Sequence, residues 1–513
     1  MHRALLLPEI VSSILRTNGH DTKNLLFASL LTNQLFFNEA VRILWEACGA
    51  RYEMCGVRHG EYWPTPKIVH LANIAMENVH RAQFYANFIR MLSFEYESDW
   101  SSEAKHHAQL AELTFPQLKE VAFYEADERA AIYNTGTNLL HYVQPTLTTF
   151  DVWTSSNISR DLLEALGRQC SSRLEYLKLR VARGDHSIEP SKLNWFIRKM
   201  RMLQVLDIPS LDWTFDTFRE ISRLPRLELL NSPPIQEAWL SKLNYDIDPF
   251  TSLKSIQTTL ADNAVENLHR VCPRLQHLHL TAQATNHHLL LSASKLTQLQ
   301  SLDIDAPSDD RVKWSITGSD LVHFSHKINS LQELSIAQDA LLQRLPTAIG
   351  LNDSTFDAVA RNSPSLKVLE FHYGGSDSSS TTSLTISSLY SLSKYCLNLE
   401  RLEISCSIDW HALARGSELE PIFFPELWAL TIKCHQGSVP LHHSPAFAHE
   451  DYYDVTDMEP DDVDEQLDLI KKKWAKLSKK IASFGPKLTS FTIEDGMGEE
   501  EELEREVWRI IAY

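Results

Sequence analysis

The sequence predicts an α/β fold in which strand–helix repeats stack side by side as a solenoid behind a short helical N-terminal unit. Two observations carry this. The pattern Leu-x-x-Leu-x-Leu, with any aliphatic residue or Phe admitted, begins at Ile89, Leu118, Leu147, Leu174, Leu203, Leu227, Leu253, Leu275, Leu299, Leu331, Leu366, Leu399, Leu427 and Leu488. Between the copies, apolar residues return at helical spacing, as in 161–170, 264–272, 356–363 and 389–396.

Bulk properties bound the function. The chain has 513 residues, 43% of them hydrophobic, so it can bury the core of a long repeat array. Its net charge is −18, from 49 basic and 67 acidic residues. A general nucleic-acid binder needs a basic surface to displace counterions, so no nucleic-acid partner is expected. No apolar run approaches the roughly 18 residues that span a bilayer, and no membrane partner is expected. Pro8 and Glu9 break the apolar start, and no small-residue cleavage site follows, which argues against a signal peptide. Seven cysteines, an odd number, suit a reducing compartment, cytoplasmic or nuclear.

The N-terminal unit reads as three helices within residues 4–49. Pro8 suits a first helical position, and Ile10, Val11, Ile14 and Leu15 follow on one face. Asn18-Gly19 stops that helix, and Asp21 or Thr22 can cap a second holding Leu25, Leu26 and Leu30. A third carries Phe37, Val41, Leu44, Trp45 and Cys48 and is expected to end at Gly49. So small a unit buries little core alone; it needs the rest of the chain or a partner.

The stretch LPEIVSSIL…NLLFASLLTNQLFFNEAVRILWE resembles an F-box. Leu7, Pro8, Glu9, Ile10, Ile14, Leu15, Leu25, Ala28, Leu31, Leu44 and Trp45 match that motif. The usual residue between Pro and Glu is missing, and Leu31-Thr32-Asn33 stands where many members have a Val-Cys pair. The resemblance implies docking of a Skp-type adaptor that joins a cullin ligase core. It points to Leu7, Pro8, Ile10, Ile14, Leu44 and Trp45 as the docking residues.

In the repeats, the fourth and sixth motif residues should point inward from a short strand and the residues between them outward. The twelve copies from Leu118 to Leu427 average about 28 residues apart, within the leucine-rich-repeat range. One strand cannot bury its apolar side alone, so the copies must stack as a curved solenoid with a parallel sheet on its concave face. Two copies are weak: Leu227 is followed by Asn231-Ser232, and Leu253 by Thr258. Cys170, Cys272 and Cys396 stand three or four residues before a motif leucine, with Ser363 in the same place. This resembles the cysteine-containing repeats of F-box proteins, in the degenerate form found in fungi. The residues themselves indicate small buried packing positions rather than metal ligands. The expected division is a helical unit at 1–49, a helical linker at 50–87 and the solenoid at 88–513. Within the solenoid lie an acidic insert at 448–466 and a terminal cap at 497–513.

Outward positions of the strands name a candidate target-binding surface. Early repeats offer Tyr124, Trp153, Tyr176, Lys178 and Arg180, with Asp151 among them; aromatic and arginine side chains are the usual interface anchors. Later repeats offer Asp303, Asp305, Glu370 and Glu403, with Glu333, Arg401, His277, His279 and His372 nearby. That half is acidic and suits a basic segment of a protein target.

Catalytic signatures are missing. There is no phosphate-cradling glycine loop, no G-x-S-x-G elbow and no H-E-x-x-H. Cys434, His435, His442, His443 and His449, and likewise Cys48, Cys55 and His59, lack the spacing of a zinc site. No enzyme activity, cofactor or metal is expected. The F-box resemblance implies a substrate receptor of a Skp/cullin/F-box type ubiquitin ligase. The alternative is a leucine-rich-repeat scaffold outside any ligase.

Overall fold

The computed structural model describes residues 7–17, 22–49, 66–96, 106–125, 139–154, 158–181, 188–243, 248–260, 262–282, 289–305, 315–337, 347–373, 384–406, 422–434, 481 and 483–495. The Ser-rich stretch 374–383, the acidic insert and the terminal cap lie outside these residues. Two compact units make up the chain: Met1–Pro234 with Asp246–Leu253, and Ile235–Tyr245 with Lys254–Tyr513.

The first unit opens with helices α1 (Pro8–Thr17), α2 (Thr22–Ser29) and α3 (Gln34–Leu44). Its strands are β1 (Ala47–Cys48), β2 (Met91–Tyr96), β3 (Glu120–Glu125), β4 (Thr149–Thr154), β5 (Tyr176–Val181), β6 (Val205–Asp207) and β7 (Leu229–Asn231). Each pairs in parallel with the next in chain order. Helices such as Arg160–Gln169, Pro190–Lys199 and Phe215–Ser222 connect them. Ser159 caps the first of these by accepting from the Leu162 amide at 3.2 Å, and Leu162, Leu163 and Leu166 form its buried face.

One backbone device repeats. The carbonyl of the second motif residue accepts the amides of the second and third residues in the following copy. Arg90 accepts from Lys119 and Glu120, Lys119 from Thr148 and Thr149, Thr148 from Glu175 and Tyr176, and Glu175 from Gln204 and Val205. The same pair of bonds runs from Arg90 and Met91 to Glu46. Trp45 is thus the first residue of an additional rung, upstream of Ile89, with Cys48 fully buried at its fourth position.

This corrects the expected end of the third helix. Helix α3 stops at Leu44, and 47–48 run extended beside Met91 and Leu92. Gly49 turns the chain at φ +75°, and its amide donates to the Pro66 carbonyl at 2.7 Å. The three-and-four spacing of Leu44, Trp45 and Cys48 fits a helix and a rung alike, and the pairing with β2 selects the rung.

The second unit contains β8 (Ser255–Leu260), β9 (His277–Ala282), β10 (Ser301–Asp305), β11 (Ser315–Thr317), β12 (Glu333–Ala337), β13 (Thr347–Ile349), β14 (Val368–Phe371), β15 (Arg401–Ser405), β16 (Ala429–Cys434) and β17 (Ser490–Asp495). The main sheet runs β8-β9-β10-β12-β14-β15-β16-β17, all parallel. β11 and β13 pair with each other just before the helices Gly318–Lys327 and Asp353–Asn362, which accounts for the long intervals after Leu299 and Leu331. β16 pairs directly with β17 across the 61 residues from Leu427 to Leu488.

This is an α/β repeat fold of the leucine-rich type, as the sequence predicts. The inward pairs are buried throughout, from Leu92 and Phe94 to Leu430 and Ile432. Each such side chain contributes about 1.5–3 kcal/mol by leaving water. In the two weak copies Ser232 and Thr258 are still buried, so the register survives their polarity. The connecting helices cover this face: Phe356 meets Phe371 edge-on with ring centroids 5.4 Å apart. Cys170, Cys272 and Cys396 are buried, free and inert, because burial pushes the Cys170 and Cys396 thiols up to about 12 and raises Cys272 also. Ser363 is buried as well.

Gly49 and Gly350 both hold positive φ, but only at Gly49 would a Cβ strike a neighbour, the Ser93 carbonyl. Gly350→Ala should cost about 1–2 kcal/mol for its φ alone. Gly49→Ala should cost clearly more, read as the larger drop in melting temperature.

Candidate protein-binding surfaces

In the helical unit, Asn33 begins α3 by accepting from the Leu35 and Phe36 amides at 3.0 and 3.1 Å. The small core is Val11, Leu15, Leu26, Ala40 and Ile43. Arg42 ties α3 to α1 by donating to Ser12 Oγ at 2.7 Å. Leu7, just before α1, is 51% exposed, and Ile10 and Ile14 of α1 lie exposed at helical spacing from it. Pro8 is exposed beside them.

The other two docking candidates point elsewhere. Leu44 packs against the unit's core, and Trp45, 9% exposed, stacks on Tyr85 at 4.6 Å. Glu46 pairs with Arg16 of α1 and, at 3.1 Å, with Arg90, fastening the helices to the first rungs. Phe27 and Leu31 are exposed apolar residues that the sequence reading left out of the docking set; Leu31 is 90% exposed. Their position in the stretch 25–31, apolar but for Ser29, hid them, because periodicity cannot separate inward from outward residues there.

The strand register assembles the first target-binding group. Tyr124, Trp153 and Arg180 stand in one row across β3, β4 and β5, and Asp151, Lys178, Asp207 and Asn231 stand in the next. Tyr124 Oη donates to Asp151 Oδ2 at 2.8 Å. Burial is the main force raising the Tyr124 and Asp151 pKa values. Lys178 sits 3.8 Å from Asp151 and lies over the Tyr176 ring at 5.2 Å. Arg180 forks onto Asp207, with Nε at 3.0 Å and Nη2 at 2.5 Å from Oδ2, and Asn231 donates to Oδ1 at 3.0 Å. The sequence reading missed Asp207 and Asn231, which sit at outward positions of short strands but are buried.

The second group gathers on β9 to β15. His279 lies between two carboxylates, with Nδ1 2.6 Å from Asp303 and Nε2 2.8 Å from Asp305. The hydrogen bonds to Asp303 and Asp305 push its pKa up to about 10. Burial opposes ionisation of Asp303, but the bond and charge of His279 outweigh it and hold that carboxyl below its usual range. Arg401 bridges Glu370 at 3.1 Å and Glu403 at 2.6 Å. The bond from His372 leads the causes that hold Glu403 at about 2. Glu333 and His277 stand exposed in the neighbouring row, in register with Ser301.

Among the described residues, no group of three or more His, Cys, Asp or Glu is placed to hold a metal, and no helix is long and apolar enough to cross a membrane.

Because the His279 pKa is raised above the roughly 6.5 of an unfolded chain, the imidazolium stabilises the unit fully below that pH. That stability is lost as the pH climbs through about 10. In an NMR titration of labelled histidine, His279 should show a midpoint near 10, and Asp303→Asn should move it down. A midpoint between 6 and 7 in the unaltered protein would disprove the clamp.

No family model matches the sequence, and no curated protein matches it. Among solved structures, the chain is similar to one described as the crystal structure of the Rad7 and Elc1 complex in yeast. The TM-score is 0.40 and the identity 16%, over 86% of this chain and 96% of that one.

Proposed function

We propose that this chain is the substrate-recognition subunit of a Skp/cullin/F-box type ubiquitin ligase. The α1 face docks the adaptor, and outward strand residues hold a target protein. The observation that carries this is the exposed apolar line of Leu7, at the entry to α1, with Ile10 and Ile14 on that helix, whose other side is buried. Exposed leucine and isoleucine in a row are costly in water and call for a cover. The chain would act by proximity: a held target lysine gains effective concentration beside a ubiquitin-loaded enzyme.

Deleting residues 1–49 does not separate this from the scaffold reading, because the deletion also removes the Trp45 rung. Surface substitutions do. Leu7→Asp and Ile10→Asp should reduce capture of a Skp-type adaptor at least tenfold while leaving the thermal melt unchanged, and Pro8→Ala should weaken it less. Undiminished capture, or none by the unaltered protein, leaves a repeat scaffold outside any ligase.

A further inference from the structure

Among the described residues of β1 to β7, Trp153 is the only large apolar side chain left exposed, at 47%. Its neighbours in register are Tyr124 and Arg180. The charges around it are sorted by depth. The two carboxylates lie on the floor: the Asp151 and Asp207 side chains are 10% and 2% exposed. The two cations stand above them, Lys178 at 27% and Arg180 at 41%. The group is neutral in sum, yet it meets solvent as rings and positive charge.

The arrangement is also fixed in advance. Asp207 holds Arg180 through Nε and Nη2, and no described residue engages Nη1. Tyr176 and Asp151 confine Lys178 from two sides. Side chains already held lose little freedom on binding, and Trp, Tyr and Arg are the residues that most often dominate interfaces.

We propose that this surface binds a peptide segment of the target in which a large apolar side chain stands next to a carboxylate. The apolar side chain covers the Trp153 indole, and the carboxylate accepts from Arg180 Nη1 with Lys178 beside it. This rests on the reading of the strand face as the target-binding surface and names the target's chemistry. It assigns no role to the acidic group on β9 to β15.

The test is a random dodecapeptide phage library panned on the full-length protein, with selected peptides resynthesised and titrated. Enriched sequences should pair Phe, Trp, Leu or Ile with an adjacent Asp or Glu. Their affinity should fall at least tenfold on Trp153→Ala, which removes a half-exposed ring on the outward side of β4. It should fall severalfold on Arg180→Lys, which keeps the charge but loses Nη1 and the fork on Asp207, and should be unchanged on Glu333→Arg. Enrichment without that pairing, affinity indifferent to Trp153→Ala, or no enrichment overturns the proposal. If Glu333→Arg alone abolishes binding, the strand-face reading stands and this inference fails. If no strand-face substitution weakens any selected peptide, the strand-face reading fails too. The adaptor capture above is independent of both.

Discussion

Everything in this fold depends on one constraint: a single short parallel strand has an apolar side that it cannot bury and backbone groups that it cannot pair. Both needs are met only by another copy alongside. The second-residue carbonyl, taking two amides from the next rung, sets the spacing and direction of that copy. With the direction set, the fourth and sixth side chains of successive rungs fall into continuous buried rows. A serine or threonine can enter such a row without breaking it, as Ser232 and Thr258 do, because the backbone bonds keep the register.

The same constraint frees the opposite face. Residues between the buried ones carry no packing duty, so chemistry can vary there from rung to rung. In the first unit it varies into a Tyr–Trp–Arg row above buried carboxylates, and in the second into carboxylates held by His279 and Arg401. Neither is a loose scatter of charge. Each ionised group is tied to a counter-charge on a neighbouring strand, and the geometry of the ladder brings them within reach.

The N-terminal helices obey this logic as well. Their own core is too small to stand alone. Helix α3 ends where the chain becomes a rung, and Trp45 on Tyr85 and Glu46 on Arg90 carry the connection. The apolar line on α1 is therefore displayed by a helix anchored to the repeats that follow it.

The amino-acid pattern alone marked the repeat and the side of each strand that is buried. Those follow from period-two alternation, which is local; the strand pairing fixed the register. Leu7, Ile10 and Ile14 were marked by the resemblance to an F-box; helical spacing put Ile10 and Ile14 on one face with Val11 and Leu15, and only the packing separates that exposed pair from the buried one. The pattern did not determine that Trp45 opens a rung, since its spacing suits either a helix or a rung and only the pairing of Ala47 and Cys48 with β2 decides. Nor did it show Asp207 and Asn231 as the floor beneath Arg180, or His279 locked between Asp303 and Asp305. Those partners are about 24 to 27 residues apart in sequence, and only the lateral stacking of strands makes them neighbours.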